Sequence, residues 1–155
     1  MHIFKEFFSN YWLISVLLGW LLAQVIKIFT GVFRQREFSL RAMLFGSGGM
    51  PSSHTASVAA LATSSAIGFG FSSWQFAISG VLCIIVMTDA TGVRRETGKH
   101  SEALNRLLGE QENTEQKPID LFRELMGHSP LQVFFGFLTG MAVAILLSFV
   151  PVFGV

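Results

Sequence analysis

The sequence predicts an all-α integral membrane helical bundle, with about four membrane-embedded helices and one amphipathic helix facing the cytoplasm. Three observations lead there. The 155-residue chain is 51% hydrophobic and only 14% charged, with a mean hydropathy of +0.54, whereas soluble domains carry about a quarter charged residues. Its apolar residues gather into long runs. Nine of its eleven basic residues lie in two polar stretches between those runs. The same composition excludes intrinsic disorder, and residues 1–155 read as a single membrane-embedded domain.

The first run, Tyr11–Ile28, is long enough to cross a hydrocarbon core of ~30 Å as a helix. Lys5 and Glu6 precede it, no small-residue cleavage site follows it, and Gln24 and Lys27 interrupt its end. It therefore reads as an anchor rather than a signal peptide. Two weaker runs follow, Thr55–Phe71, rich in Ala and Ser, and Trp74–Thr88, rich in Ile and Val. Only Ser72 and Ser73 separate them, so they are expected to be antiparallel neighbours. The small residues of the first favour tight packing over lipid contact. Leu131–Val150 is the strongest span, without a formal charge and ending at Pro151. Its Gly136 and Gly140 form a small-x-x-x-small pair suited to close helix approach, which also offers a face for a homo-oligomer.

The polar stretches are Thr30–Met50 and Asp89–Ser129. Within the second, Gly92–Leu108 reads as an amphipathic helix, Gln111–Pro118 as a solvent loop and Ile119–Met126 as a short helix. Four spans put both stretches on one side of the membrane, and their Lys and Arg content assigns that side to the cytoplasm. A net charge of +1 leaves no field to attract nucleic acid. The single cysteine, Cys83, allows no intrachain disulfide and no cysteine-based zinc site; within an apolar run it reads as small filler.

The segment Gly48-Gly49-Met50-Pro51-Ser52-Ser53-His54-Thr55-Ala56 is a glycine-rich turn leading into a helix. Pro suits a first helical turn, Ser caps the exposed amides, and glycine lets the backbone approach a ligand. Such a helix start attracts anions, and His54 lies in its first turn; the same segment also reads as a plain capped helix with a surface histidine. A second segment runs Gly127-His128-Ser129-Pro130-Leu131-Gln132-Val133. Gln132 stands one turn beyond His128, where it can hold one imidazole nitrogen and leave the other to act. The alternative is an interfacial histidine that ends a loop. Asp89, at the end of an apolar run, is costly at membrane depth and calls for a partner, for which Arg94 and Arg95 are placed. Lys99 and Arg106, mixed with Glu96 and Glu102, also read as a solvated or headgroup face.

Taken together, Pro51-Ser52-Ser53-His54 and the later His128-x-x-x-Gln132-Val-x-x-Gly136-x-x-x-Gly140 resemble the type 2 phosphatidic acid phosphatase superfamily. With Asp89-Ala-Thr-Gly-Val-Arg94-Arg95-x-x-Gly98, they resemble its small, divergent membrane branch. The resemblance covers Ala23 to Gly140. It implies that His128 is the nucleophile, forming a phosphohistidine, and that His54 protonates the leaving oxygen. It further implies that Lys27 contacts phosphate oxygens, with Ser52, Ser53 and the region of Gly49 completing the cradle. The chain departs from that pattern in three places, one of them that no Arg-Pro pair follows Lys27. Gln132 stands where the superfamily has Asp, and a neutral amide cannot stabilise an imidazolium as a carboxylate does. The Arg expected six residues before the nucleophile is missing. Asp89 is the candidate for the lost carboxylate, Arg94 and Arg95 for the lost charge.

The expected activity is hydrolysis of a membrane lipid phosphate or pyrophosphate at the interface, without metal or cofactor: two histidines and several cations supply nucleophile, acid and charge stabilisation. Two alternatives stay open. One is a weak or inactive phospholipid-binding scaffold that keeps the cradle; the other is a small transporter subunit using Asp89 and the arginines as a charge relay.

Overall fold

Each apolar run folds as a helix whose ends are set by its capping residues. The structure is a computed structural model that describes residues 2–32, 49–93, 96–98, 100 and 128–153. Among the described residues five helices are defined: α1 (His2–Phe8), α2 (Tyr11–Val32), α3 (Ser53–Phe69), α4 (Trp74–Thr91) and α5 (Pro130–Ser148). No strand occurs among the described residues.

The helix α1 has no counterpart in the sequence reading. Asn10 then restarts the chain, its Oδ1 accepting from the Leu13 N–H at 3.0 Å. The helix α2 carries on past Ile28 to Val32, and Gln24 and Lys27, rather than interrupting it, are buried on the same stripe as Tyr11, Ser15 and Ala23. Ser52 caps α3, and Gly70, at a φ of 80°, ends it. Ser73 caps α4, its Oγ accepting from the Phe76 N–H at 3.2 Å, and α4 runs past Thr88 to carry Asp89 on its last turn. Pro130 begins α5 one residue earlier than expected. Proline suits that position because its missing N–H would have no partner there.

The four long helices alternate in direction. At the centre lies α3, packed against α2, α4 and α5, while α4 leans on α3 and has little contact with α5. Among the described residues, α2, α4 and α5 are the three helices long and apolar enough to cross a membrane. The fourth expected segment, α3, is enclosed by them and has the Ala and Ser content such a place requires. Ala56, Ala59 and Ala60 are wholly buried. A Cβ on Gly136 would press on the Ser52 carbonyl, and one on Gly140 on the Ala56 carbonyl, so the two glycines bring α5 backbone to backbone with α3. Their face is thus an intrachain seam rather than an exposed assembly surface. At the end away from Ser52, the Tyr11 hydroxyl donates to the Ala144 carbonyl at 2.7 Å and Trp12 stacks on Phe69 at 4.5 Å. Large apolar side chains such as Ile84, Ile85, Phe134 and Leu146 point outward, as lipid contact demands. Cys83 is buried, its Sγ 3.7 Å from the Met87 sulfur.

Of the amphipathic helix expected over Gly92–Leu108 only the beginning is described, where the Glu96 N–H donates to the Gly92 carbonyl at 3.0 Å. Arg94, Arg95, Lys99 and Arg106, the loop Gln111–Pro118, the helix Ile119–Met126 and most of the first polar stretch lie outside the described residues.

Candidate functional site

Four helix ends meet at one end of the bundle: the C-termini of α2 and α4 and the N-termini of α3 and α5. Two N-termini bring the positive ends of two helix dipoles and their unpaired amides to one place. Backbone hydrogen bonds tie the ends together. The Ser52 N–H donates to the Gln132 carbonyl at 3.0 Å, and the His128 N–H to the Ala90 carbonyl at 3.2 Å. The Thr30 hydroxyl donates to the Met50 carbonyl at 2.7 Å. The first of these bonds fixes the block around Ser52 against the first turn of α5, and the second hangs His128 on the end of α4.

Within this frame the expected residues fall into two groups. One surrounds a cavity of about 200 Å³ lined by His54, Ser57 and Val58 of α3, Val86, Asp89 and Ala90 of α4, and His128. His54 is exposed and Asp89 half-buried, whereas His128 is only 5% exposed. Nδ1 of His128 lies 3.2 Å from Oε1 of Gln132, and the same oxygen accepts from the Ser129 N–H at 2.8 Å. A backbone N–H only donates, so the amide atom it meets is the oxygen, and the imidazole proton sits on Nδ1. Nε2 is then the basic nitrogen of the ring. Gln132 thus has two tasks: it orients His128, and with Ser129 it forms the capping box of α5.

The second group adjoins it on the α2 side. Lys27 is 8% exposed, and its Nζ donates to the Ser53 hydroxyl at 3.5 Å. Gly49 lies against the stem of Lys27. Its φ is 96°, and a Cβ at this position would lie only 2.8 Å from Cγ of Lys27, so no other residue fits without strain. Ser52 is turned inward. Its Oγ accepts from the Thr55 N–H at 3.3 Å and from the Thr55 hydroxyl at 3.0 Å, so its side chain caps α3 instead of facing the cavity. Ser57, Val58, Val86 and Ala90 are not among the residues the sequence singles out. The signal that points to them is helical spacing, since Ser57 and Val58 follow His54 by three and four residues and Val86 precedes Asp89 by three.

A membrane-embedded bundle with a polar, two-histidine cavity at one end defines the class: a helical integral membrane protein with its polar chemistry gathered at one boundary. The chain belongs to the divergent PAP2 family, which matches residues 8–143. It is 36% identical over 158 residues to the uncharacterized membrane protein YuiD of Bacillus subtilis (strain 168), covering 93% of this chain and 98% of that one. No solved structure matches the chain.

Proposed function

We propose that the protein is a metal-independent lipid phosphate or pyrophosphate phosphohydrolase working through a phosphohistidine. The observation that carries this reading is that His54 and His128, far apart in sequence, line one cavity while Gln132 holds Nδ1 of His128. Nε2 of His128 attacks phosphorus; the new P–N bond forms as the ester P–O bond breaks, and His54 delivers a proton to the departing alkoxide. Water then attacks the phosphohistidine, His54 takes its proton, and phosphate leaves with Nε2 restored. Lys27, Ser53 and the amides of the two helix N-termini stabilise the phosphoryl oxygens. Asp89 faces the same cavity and supplies the carboxylate that Gln132 lacks, with Arg94 and Arg95 adding positive charge. The lipid headgroup sits at the interface and the site faces the cytoplasm, in line with the nine basic residues in the two flanking stretches.

Phosphate release from a panel of lipid phosphates, measured in detergent with chelator present, tests this. Wild type should turn over at least one lipid, and His128→Ala and His54→Ala should each abolish release while eluting as folded protein. A well-folded wild type that releases nothing from any lipid refutes the enzyme and favours the phospholipid-binding scaffold, a reading supported by the neutral Gln132.

A further inference from the structure

The two-histidine cavity is not alone on its seam. A second cavity of about 250 Å³ lies toward the opposite end of the bundle, between Leu61, Ser65 and Phe69 of α3 and Ile78, Ser79 and Leu82 of α4. It continues the same helix faces. On α3, Leu61 and Ser65 follow Ser57 and Val58 at helical spacing, and on α4, Leu82 and Ile78 lie on the stripe that leads back from Asp89 and Val86. The first cavity reaches Val58 and Val86; the second begins one turn further on, at Leu61 and Leu82. The two are in line, the first carrying His54, Asp89 and His128 among apolar neighbours and the second almost wholly apolar. Ser79 does not break the pattern, because its hydroxyl turns back to the Gln75 carbonyl at 2.8 Å. Trp12 closes the far end, stacked on Phe69 and pinned by its Nε1 donating to the Ser64 carbonyl at 3.2 Å.

We propose that this α3–α4 seam is the track for one hydrocarbon chain of the lipid phosphate, with its phosphate at His54 and His128. The inference rests on the lipid phosphatase reading and names the part of the substrate that reading leaves open. An occupant must be anionic at one end and apolar over the rest, which a free phosphate is not. It must also be thin, because cavities of about 200 and 250 Å³ hold a single chain and not a helix. From His54 to Phe69 the seam runs about 22 Å, most of a hydrocarbon core of ~30 Å, so the chain lies along the bundle. Since α4 has little contact with α5, the lipid reaches the seam sideways from the bilayer.

The test uses the full chain in lipid nanodiscs with a lipid phosphate carrying a photoreactive diazirine near its methyl end, beside the same lipid without phosphate. Labelled residues are mapped by mass spectrometry. The phosphate probe is expected to label Leu61, Ser65 and Ser79, and the neutral probe to label them far less. Ser65→Phe and Ser79→Phe fill the seam, and each should lower kcat/KM for a long-chain phosphate by about tenfold or more with a short-chain, water-soluble ester unaffected. Ile84→Phe, on the outward face, should change neither. Labelling spread over outward residues such as Ile84, or equal labelling by both probes, overturns the seam. The wild-type map alone decides, so a variant that fails to fold leaves the test intact. Release of phosphate without seam labelling refutes the track and spares the phosphatase; seam labelling without release from any ester does the reverse.

Discussion

Replacing Gly140 by alanine should force α3 and α5 apart. The added Cβ would lie 2.8 Å from the Ala60 nitrogen and 2.9 Å from the Ala56 carbonyl carbon, and closer still to the Ala56 oxygen. All three are backbone atoms, which no rotamer change can move. Restoring an ordinary contact of about 3.5 Å needs a separation of about 0.7 Å on the Ala60 contact alone. Overpacking of this kind costs about 1–3 kcal/mol, and the better helix propensity of alanine returns about 0.5–1 kcal/mol, leaving a net loss of up to about 2.5 kcal/mol, toward the upper end because three backbone atoms are struck at once. Two other glycines calibrate the scale. Gly80 has nothing within 4 Å of its Cβ position, and a Cβ on Gly19 would meet the Ala56 oxygen and Ala60 Cβ at 3.2 Å. The expected stability order is therefore Gly80→Ala above Gly19→Ala above Gly140→Ala. Unfolding in detergent, followed by the fluorescence of the three tryptophans, Trp12 stacked on Phe69 among them, measures it. Adding Ala56→Gly should not rescue Gly140→Ala, since the collision is with backbone. A Gly140→Ala protein as stable as Gly80→Ala would refute the backbone-to-backbone packing.

Three further outcomes concern the site. Gln132→Glu keeps an acceptor for the Ser129 N–H and for Nδ1 of His128 and adds the missing charge. It should raise the rate and shift the acid limb of the pH profile to higher pH, because a carboxylate favours the protonated imidazole and the nucleophile must be neutral; Gln132→Leu should lose activity and about 1 kcal/mol of stability through the broken cap. Lys27→Met preserves the stem beneath Gly49 and removes the charge, so it should leave unfolding unchanged while weakening competitive inhibition by inorganic phosphate about tenfold or more. Gly49→Ala meets both a left-handed φ and Cγ of Lys27; it should lose about 1–2 kcal/mol in the unfolding assay and weaken phosphate inhibition as Lys27→Met does.

What could be read from the sequence was what neighbouring residues decide. The turn at Ser72 and Ser73, the Ser52 cap, the burial of Cys83 and the pairing of His128 with Gln132 one turn away are all local, and each followed from spacing and side-chain chemistry. Contacts between distant backbones left no trace. The Ser52 N–H and the Gln132 carbonyl, or the His128 N–H and the Ala90 carbonyl, are groups that every residue carries, so no residue type marks them. Gly136 and Gly140 show the middle case. Their spacing announced a close helix contact, but only the fold shows that the partner is α3 of the same chain. The inward placement of Gln24 and Lys27 was hidden for a related reason: polar residues near the end of a span look like interruptions until the stripe they share with Ala23 is seen to face inward.

The composition of α3 reconciles two demands that pull in opposite directions. On one face, Ala56 and Ala60 must be small so that Gly19 and Gly140 can close on the backbone, because that contact sets the register between the turn bearing His54 and the turn before which His128 stands. On the other face, His54, Ser57, Val58 and Ser65 line cavities along α4, so the neighbouring helix must be held off. Larger apolar residues would make α3 a stronger span but would open the first face and fill the second. Its polar side chains are tolerated because they bond locally, Ser57 to the Ser53 carbonyl at 3.0 Å and Ser64 to the Leu61 carbonyl at 3.0 Å, and because three more apolar helices surround it. The weak hydropathy of α3 is thus what the site requires, and the strong hydropathy of α2, α4 and α5 is what allows it.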